Sequence, residues 1–243
     1  MKDWFPFTSY EFYAYLTAGM VTLAAVDRVY LGSMLANEVS WTVVNGAFWI
    51  AIAYLIGQIL AIPSSSMLEH LLMRKWLRAP SRVLLGLDAP RWREVAVRWL
   101  FAAREYEPLP VATQNSIKRK VAAALTIAPV DVQAEAAFHC AFPYARGVSD
   151  SATRLDNFMN QYGMCRNVSL ASLIACILMI GQALSTGARE DWLIAIAALV
   201  LAVGLFGRFV KFYAAYAREV FRTFDKCVPS GAASAPPTPT PVS

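Results

Sequence analysis

The feature that most constrains this chain is a stretch of 30 residues, 39–68, that contains no charged side chain. A helix needs about 20 apolar residues to cross the hydrocarbon core of a bilayer. Three further charge-free runs cover residues 12–26, 167–188 and 192–207. Only 16% of the residues are charged and the mean hydropathy is +0.43, whereas about a quarter of an ordinary soluble domain is charged. The pattern predicts a multi-pass membrane protein.

The four runs predict an all-α membrane protein with four transmembrane helices. Helices 1 and 2 are placed within residues 1–68, at about 10–30 and 39–62, and helices 3 and 4 at about 167–188 and 191–207. Because the first run is only 15 residues long, an interfacial helix at that position is the alternative. Tryptophans stand where three of the spans begin, and indole prefers the headgroup level: Trp4, Trp41 and Trp192.

Residues 69–166 form an insert between helices 2 and 3 with the charge density of a soluble domain. Prolines interrupt it repeatedly and no alternating β-branched run occurs, so we predict an all-helical cytoplasmic insert. Residues 208–228 continue at helical period as a cytoplasmic amphipathic helix, whose aromatic stripe needs a partner: the insert, lipid or another subunit. Residues 229–243 contain five prolines and no charge, which predicts a disordered Pro-rich tail.

Within the insert, residues 91–105 have the pattern of an amphipathic helix. Their apolar positions share one face, opposite arginines and glutamates: Trp92, Val95, Ala96, Trp99 and Ala103. Since Trp76, Trp92 and Trp99 lie among arginines, this segment can pack on the membrane surface. A tryptophan core inside a small domain is the alternative. A short basic run, Lys118 to Lys120, is typical of an exposed helix face and can meet anionic lipid or nucleic acid.

The distribution of basic residues predicts the orientation. With four spans, both termini and the insert share one side of the membrane, which carries 20 of the 22 basic residues. The other side carries only Arg28 and Arg189. Basic residues collect on the cytoplasmic side, so we predict a multi-pass protein of a bacterial inner (plasma) membrane with both termini cytoplasmic. The same distribution accounts for the net charge of +5, so nucleic acid is not an expected partner.

The predicted spans carry three amide side chains and no charge at mid-span: Asn45, Gln58 and Gln182. These amides are the candidate intramembrane polar positions. They favour hydrogen bonds between helices, and a permeation pathway is the alternative. An ion-coupled transporter normally needs a carboxylate or paired charges near the midplane, and the spans contain none.

Small residues recur at four-residue spacing in the first two spans. They are Ala14, Ala18 and Thr22 in the first span, and Ala53, Gly57 and Ala61 in the second. Such stripes allow two helix backbones to approach closely. We therefore predict close packing between the helices that carry them.

Catalytic, cofactor and metal motifs are absent from the sequence. It contains no H-E-x-x-H, no Walker A loop, no dinucleotide glycine fingerprint and no G-x-S-x-G. The four cysteines form no C-x-x-C pair, and His70 and His139 lie outside the spans, so no metal site is expected. We predict a non-enzymatic protein without a cofactor. A lipid-acting membrane enzyme using Glu69, His70 or His139 is a further alternative.

Three stretches resemble a group of uncharacterised bacterial four-span inner-membrane proteins. They are SYEFYAYLTAGMVTL (9–23), AYLIGQILAIPSSSMLEHLL (53–72) and YGMCRNVSLASLI (162–174), about a fifth of the chain. No activity attaches to that group, so the resemblance assigns no functional residue. Some similar four-span proteins occur beside bacterial defence genes, which implies phage defence as one alternative role.

These patterns favour a non-enzymatic membrane protein whose basic insert serves as a docking or sensing surface. The expected partners are the lipid bilayer and either a second copy of the chain or a cytoplasmic protein. The competing hypothesis is an oligomeric pore-forming or membrane-perturbing effector, in which the amide side chains would line a path.

Overall fold

The computed structural model describes residues 9–37, 42–89, 91–101 and 103–228, and within these ranges the chain is helical without a β-strand. The α-helices are α1 (Ser9–Tyr30), α2 (Met34–Asn37), α3 (Val43–Ser64), α4 (Pro80–Leu84), α5 (Trp92–Leu100), α6 (Val111–Leu125), α7 (Ala134–Arg146), α8 (Ser149–Thr186) and α9 (Arg189–Cys227). A π-helical segment, Ser65–Trp76, extends α3, and 3-10 turns form at Arg104–Tyr106 and Pro129–Asp131. The predicted tail, Trp4 and Trp41 lie outside the described residues.

Three described helices are long and apolar enough to cross a membrane: Val43–His70, Ser149–Thr186 and Arg189–Cys227. They contain the runs predicted for spans 3 and 4 and, from Val43 onward, the run predicted for span 2. Helix α1 has the predicted position and 22 residues, but it is not among the three, because tyrosine, threonine and the charged end at Asp27 and Arg28 dilute its apolar residues. A membrane protein of helices is supported, and the fourth span stays a prediction.

Helices α8 and α9 are longer than the spans predicted within them. Ser149, expected to begin a helix that reaches Arg166, begins one that continues to Thr186. The last span and the amphipathic segment after it are likewise one helix, Arg189–Cys227. Neither junction contains proline, so the backbone hydrogen bonds continue through both.

The chain divides into two compact units, each described by itself. The bundle unit contains the described residues up to Met73 together with Gly163–Phe209. The insert unit contains Arg74–Tyr162 together with the described residues from Val210 onward. Helices α8 and α9 thus contribute residues to both units.

In the bundle unit, α1 and α3 touch through their backbones at two glycines. A Cβ added to Gly19 would lie 1.6 Å from the carbonyl oxygen of Ala53, and one added to Gly57 would lie 1.9 Å from that of Tyr15. Ala18 and Ala53 are buried beside them. The small-residue stripes therefore mark the contact that their spacing predicts.

Polar pairs join the helices of the bundle unit near two opposite ends. Arg28, near the end of α1, forms an ion pair with Asp191, near the start of α9, with Nη2 and Oδ1 3.0 Å apart. The Ser64 hydroxyl, at the end of α3, donates to Asn167 Oδ1 of α8 at 2.5 Å. These contacts hold the end of α1 level with the start of α9, and the end of α3 level with residue 167 of α8.

The insert unit has its own apolar core, built where α4, α6 and α7 meet α8 and α9. Its members are buried hydrophobic residues that include Leu84, Ile117, Val121, Ala141, Leu155, Phe221 and Phe224. The aromatic stripe of α9 packs here from Tyr216 onward. Val220 and Phe224 belong to this core, and Tyr216 packs against it. The sequence left three possible partners for this stripe: the insert, lipid or another subunit. In the structure the insert covers the part of the stripe from residue 216 to residue 224.

Helix α5 differs from its prediction in length and in the direction of its apolar face. It ends at Leu100, and Ala103, expected on the apolar face, lies beyond the helix and is fully buried. Trp92 and Trp99 are 73% and 85% exposed. The alternative of a tryptophan core is therefore wrong, because the face turned inward carries Glu94 and Val97 instead.

Candidate functional site

The three amides singled out in the spans are not brought together. Asn45 is exposed in the first turn of α3, and Gln58 donates to the Tyr54 hydroxyl one turn earlier on the same helix, at 2.8 Å. Gln182 is half-buried, and its backbone oxygen accepts the hydroxyls of Ser185 and Thr186. Across the described ranges, no hydrogen bond joins any of these amides to another helix.

Hydroxyl and carboxamide groups that were not singled out make the polar contacts between bundle helices. Besides the Ser64–Asn167 contact, the buried Ser169 hydroxyl of α8 donates to the backbone oxygen of Ala202 on α9 at 2.8 Å. Arg166 and Glu69 form an ion pair with Nη1 and Oε2 2.8 Å apart. Two of these three contacts, Ser64–Asn167 and Arg166–Glu69, join the segment PSSSMLE (63–69) to the segment CRN (165–167). Nothing in the sequence indicates that these segments lie together, because Ser64 and Asn167 are 103 residues apart in the chain.

The candidate residues for lipid chemistry do not form a catalytic group. The carboxylate of Glu69 is held by Arg166, and His70 and His139 are both exposed. All four cysteines are free, and burial raises the pKa of the Cys140 thiol, which keeps the thiol protonated at neutral pH. No group of three potential metal ligands occurs among the described residues.

The bundle unit contains an apolar cavity of about 890 Å³ between α1, α3, α8 and α9. Residues such as Trp49, Ala53, Met179 and Leu201 line it, and charged groups near Arg28 lie at one end. Its volume is within the range of small-molecule sites, about 300–1,000 Å³. Because Arg28 is paired with Asp191, this guanidinium is already neutralised. None of the three amides lines the cavity.

Ion pairs neutralise many of the basic residues of the insert unit. The pairs are Arg78 with Asp88 and Glu94, Arg82 with Asp88, Lys120 with Asp225, Arg146 with Asp156, Arg154 with Glu219, and Lys211 with Glu105. Several cations of this unit take part in no ion pair among the described residues. They include Arg91 just before α5, Arg93 and Arg98 on α5, Lys118 and Arg119 on α6, and Arg222 and Lys226 on α9. Helices α5 and α6 are therefore two of the places where this unit presents basic side chains without a carboxylate partner.

Arg78 holds together the N-terminal part of the insert unit. Its Nε lies 3.3 Å from Glu94 Oε1, and Glu94 is only 1% exposed. The hydroxyl of the fully buried Tyr106 accepts from the Arg78 backbone nitrogen at 3.2 Å and donates to its backbone oxygen. Burial raises the pKa of Tyr106 far above its usual 10.0. Glu94 also accepts from the Arg91 backbone nitrogen at 3.0 Å, which caps α5.

A groove of about 720 Å³ lies beside the two unpaired cations of α6. We name it the α6 groove, and its lining is Gly86, Leu87, Asn115, Lys118, Arg119, Pro129 and Val130. One wall is the turn after α4, where Gly86 has φ +57° and a Cβ would lie 2.5 Å from Gln114 Oε1. Gln114 is itself fixed by donating to the Leu109 backbone oxygen at 2.6 Å. The groove thus combines two cations and an amide with apolar side chains on a fixed frame.

Comparison with known proteins gives no match: no protein-family model, no curated protein and no solved structure resembles this chain significantly. Functional interpretation therefore depends on the residues described above.

Proposed function

We propose that this chain is a non-enzymatic membrane-anchored docking protein, whose α6 groove binds an acidic segment of a cytoplasmic protein partner. The observation that carries the proposal is that Lys118 and Arg119 line the groove while taking part in no ion pair among the described residues. The third cation of the basic run, Lys120, is instead occupied by Asp225.

The lining of the α6 groove favours a peptide over a small inorganic anion. Lys118 and Arg119 would attract carboxylates, while Leu87, Pro129 and Val130 offer apolar contact. Protein interfaces combine an apolar centre with a polar rim in this way. The groove is also large enough for several side chains, at about 720 Å³.

The proposal that the protein is not an enzyme is supported by the contacts that its buried charged side chains make. Four charged residues among the described ones are at least nine-tenths buried: Asp27, Glu94, Lys120 and Asp191. The last three are held in ion pairs, and the Asp27 carboxylate accepts a hydrogen bond from the Leu35 backbone nitrogen at 3.0 Å. Functional acids and bases tend to be groups with perturbed pKa in a cleft. Here the buried charges serve contacts within each unit.

We further propose four spans in a bacterial inner membrane, with both termini cytoplasmic. Support for α1 as a span comes from its packing: Gly19 meets Ala53 and Gly57 meets Tyr15 near the middle of the candidate span Val43–His70. If Val43–His70 crosses the bilayer, a helix packed there would lie at the depth of the hydrocarbon. The Arg28–Asp191 ion pair supports the same antiparallel order, since it joins the end of α1 to the start of α9.

Site-specific photo-crosslinking tests the docking proposal. A photoreactive amino acid at Asn115, in the α6 groove, is compared with one at Gln133, an exposed position of the same unit outside the groove. In cells that make the protein, position 115 should yield one protein adduct whose crosslinked peptide is acidic, and position 133 should not. Equal labelling at both positions, or no adduct at 115, would contradict the proposal.

A further inference from the structure

Helix α5 exposes an aromatic face, whereas an ordinary surface helix turns its aromatic side chains inward. Trp92 and Trp99 lie seven positions apart on one face, with Val95 between them, and all three are exposed. Glu94 and Val97 point into the insert unit and are 1% and 6% exposed. Among the described residues nothing covers the tryptophan face, although two exposed indoles are costly in water.

Arginines border this aromatic face. At 100° per residue, Arg93 lies on one side of the Trp92–Trp99 line and Arg91 and Arg98 lie on the other. None of them is paired with a carboxylate in the described ranges. The guanidinium of Arg93 stands 5.5 Å from the ring centroid of Trp76 and 5.6 Å from that of Trp92. This face therefore presents indoles and guanidinium groups together.

The aromatic cluster is close in sequence to a membrane-spanning candidate. Trp76 is the last residue of the π-helical segment that extends α3, six residues after His70, where the candidate span ends. Trp76 contacts Arg93, so the contact with α5 is made by a residue that follows the span by only six positions in the sequence.

We propose that the tryptophan face of α5 lies on the bilayer surface and binds anionic phospholipid headgroups. Indole rings prefer the headgroup level, where the ring is partly apolar and its N–H can find an acceptor. The flanking guanidinium groups bind phosphate oxygens as charge-assisted donors. A helix with aromatic residues on one face and basic residues at its edges binds membranes in this manner.

Charge favours lipid over a second protein as the occupant. Each basic residue near an anionic leaflet contributes about 1 kcal/mol, or about fivefold in affinity. The span that precedes α5 also keeps it near a bilayer at all times, which raises the effective concentration of lipid. This inference does not depend on the α6 groove, which lies on another helix.

Lipid photo-crosslinking on the full-length protein tests the inference. Trp99 is replaced by p-benzoylphenylalanine, and the purified chain is reconstituted into nanodiscs of phosphatidylglycerol and phosphatidylcholine. Irradiation should give a mass increase of one phospholipid at position 99. The same substitution at Val130, 88% exposed in the same unit, should give none. Equal lipid labelling at both positions, a crosslink to a second chain, or no adduct at position 99 would overturn the inference.

A pair of charge variants separates lipid binding from partner docking. In Arg91→Gln/Arg93→Gln, the preference of the position-99 adduct for phosphatidylglycerol over phosphatidylcholine should fall at least about fivefold, the effect of one basic residue. Lys118→Gln/Arg119→Gln, which removes the same charge from α6, should leave that preference unchanged. If both variants lose the preference for phosphatidylglycerol equally, the lipid is attracted by the overall charge of the unit. If neither variant loses it, the α5 arginines have no role in lipid binding. Either result contradicts the proposed site.

Discussion

Lys120 Nζ lies 2.8 Å from Asp225 Oδ1, which joins α6 to the last turn of α9 across 105 residues of sequence. The same ammonium donates to the Asp225 backbone oxygen, and the Ser116 hydroxyl donates to Oδ1 at 2.6 Å. The lysine side chain is 7% exposed and the aspartate side chain 25%. Lys120 therefore stabilises the insert unit, and only its two neighbours remain for binding.

This division predicts opposite results for two lysines two positions apart. Lys120→Ala should lower the free energy of unfolding by about 3 kcal/mol, because it leaves a partly buried carboxylate without its partner. Lys118→Ala should change it by less than about 0.5 kcal/mol, as surface substitutions do. Unfolding of the full chain in detergent, followed by circular dichroism, measures both. A similar loss in the two variants would contradict the assignment.

The contact between α1 and α3 predicts that Gly57 cannot be enlarged. In Gly57→Ala the new methyl would meet the Tyr15 carbonyl oxygen at 1.9 Å, so the helices must separate, at a cost of about 1–3 kcal/mol or more. Gly46→Ala, on the same helix with no neighbour within 4 Å, is the control and should be neutral or slightly stabilising. Thermal unfolding of the two variants in one detergent compares them. A Gly57→Ala protein as stable as the Gly46→Ala protein would show that α1 does not pack here.

Asp88 predicts a specific dependence of stability on acid. The hydrogen bond from Arg82, with Nε and Oδ2 2.5 Å apart, and the charges of Arg82 and Arg78 hold the pKa of Asp88 below its ordinary 3.8. The unfolded chain binds this proton more readily, so the stabilisation is present above about pH 4 and is lost as the pH falls through the lower folded pKa.

The test of that dependence is the difference between two variants. Between pH 5 and pH 3 (the window set, roughly, by the ordinary and lowered pKa), the wild-type protein should lose more stability than Asp88→Asn. Asp131→Asn, at an exposed aspartate without an ion pair in the described ranges, should follow the wild type. An Asp88→Asn protein with the wild-type acid profile would show that Asp88 contributes no pH dependence.

Four spans and three spans predict different positions for the N-terminus. If α1 crosses the bilayer, both ends of the chain face the cytoplasm; if only the three candidate spans do, the ends lie on opposite sides. Epitope tags at the two ends, probed with protease from each side of sealed vesicles, should be cleaved from the cytoplasmic side alone. Cleavage of the N-terminal tag from the opposite side would show that α1 does not span.

Sequence reasoning succeeded where structure depends on local spacing. The four-residue repeat of small side chains located the contact of Gly57 with α1, because a helix places such residues on one face. Helical periodicity also predicted the aromatic face of α5. It did not predict whether that face points into the unit or away from it. The inward face is held by Glu94, whose partner Arg78 lies 16 positions earlier, and helical spacing carries no information about such a pair.

Contacts between distant segments were beyond sequence reasoning for the same reason. The sequence does not distinguish Lys118, Arg119 and Lys120, which are three consecutive basic residues. The folded chain shows that Asp225 lies beside Lys120. Likewise, Ser64 lies near the end of one charge-free run and Asn167 at the start of another. Their contact at 2.5 Å depends on how α3 and α8 pack. The amides of the spans drew attention by residue type, whereas polar contacts between helices are made by Ser64, Asn167 and Ser169.

A charge-swap experiment tests the docking claim most directly, once the crosslinked acidic segment is known. Lys118→Glu/Arg119→Glu should abolish co-purification of that partner, and Arg222→Glu/Lys226→Glu, an equal charge change at exposed cations of α9, should not. Changing the partner's acidic residues to lysine should restore its binding to the α6 variant. Undiminished binding of the original partner to Lys118→Glu/Arg119→Glu would contradict the claim that the α6 groove is the docking site.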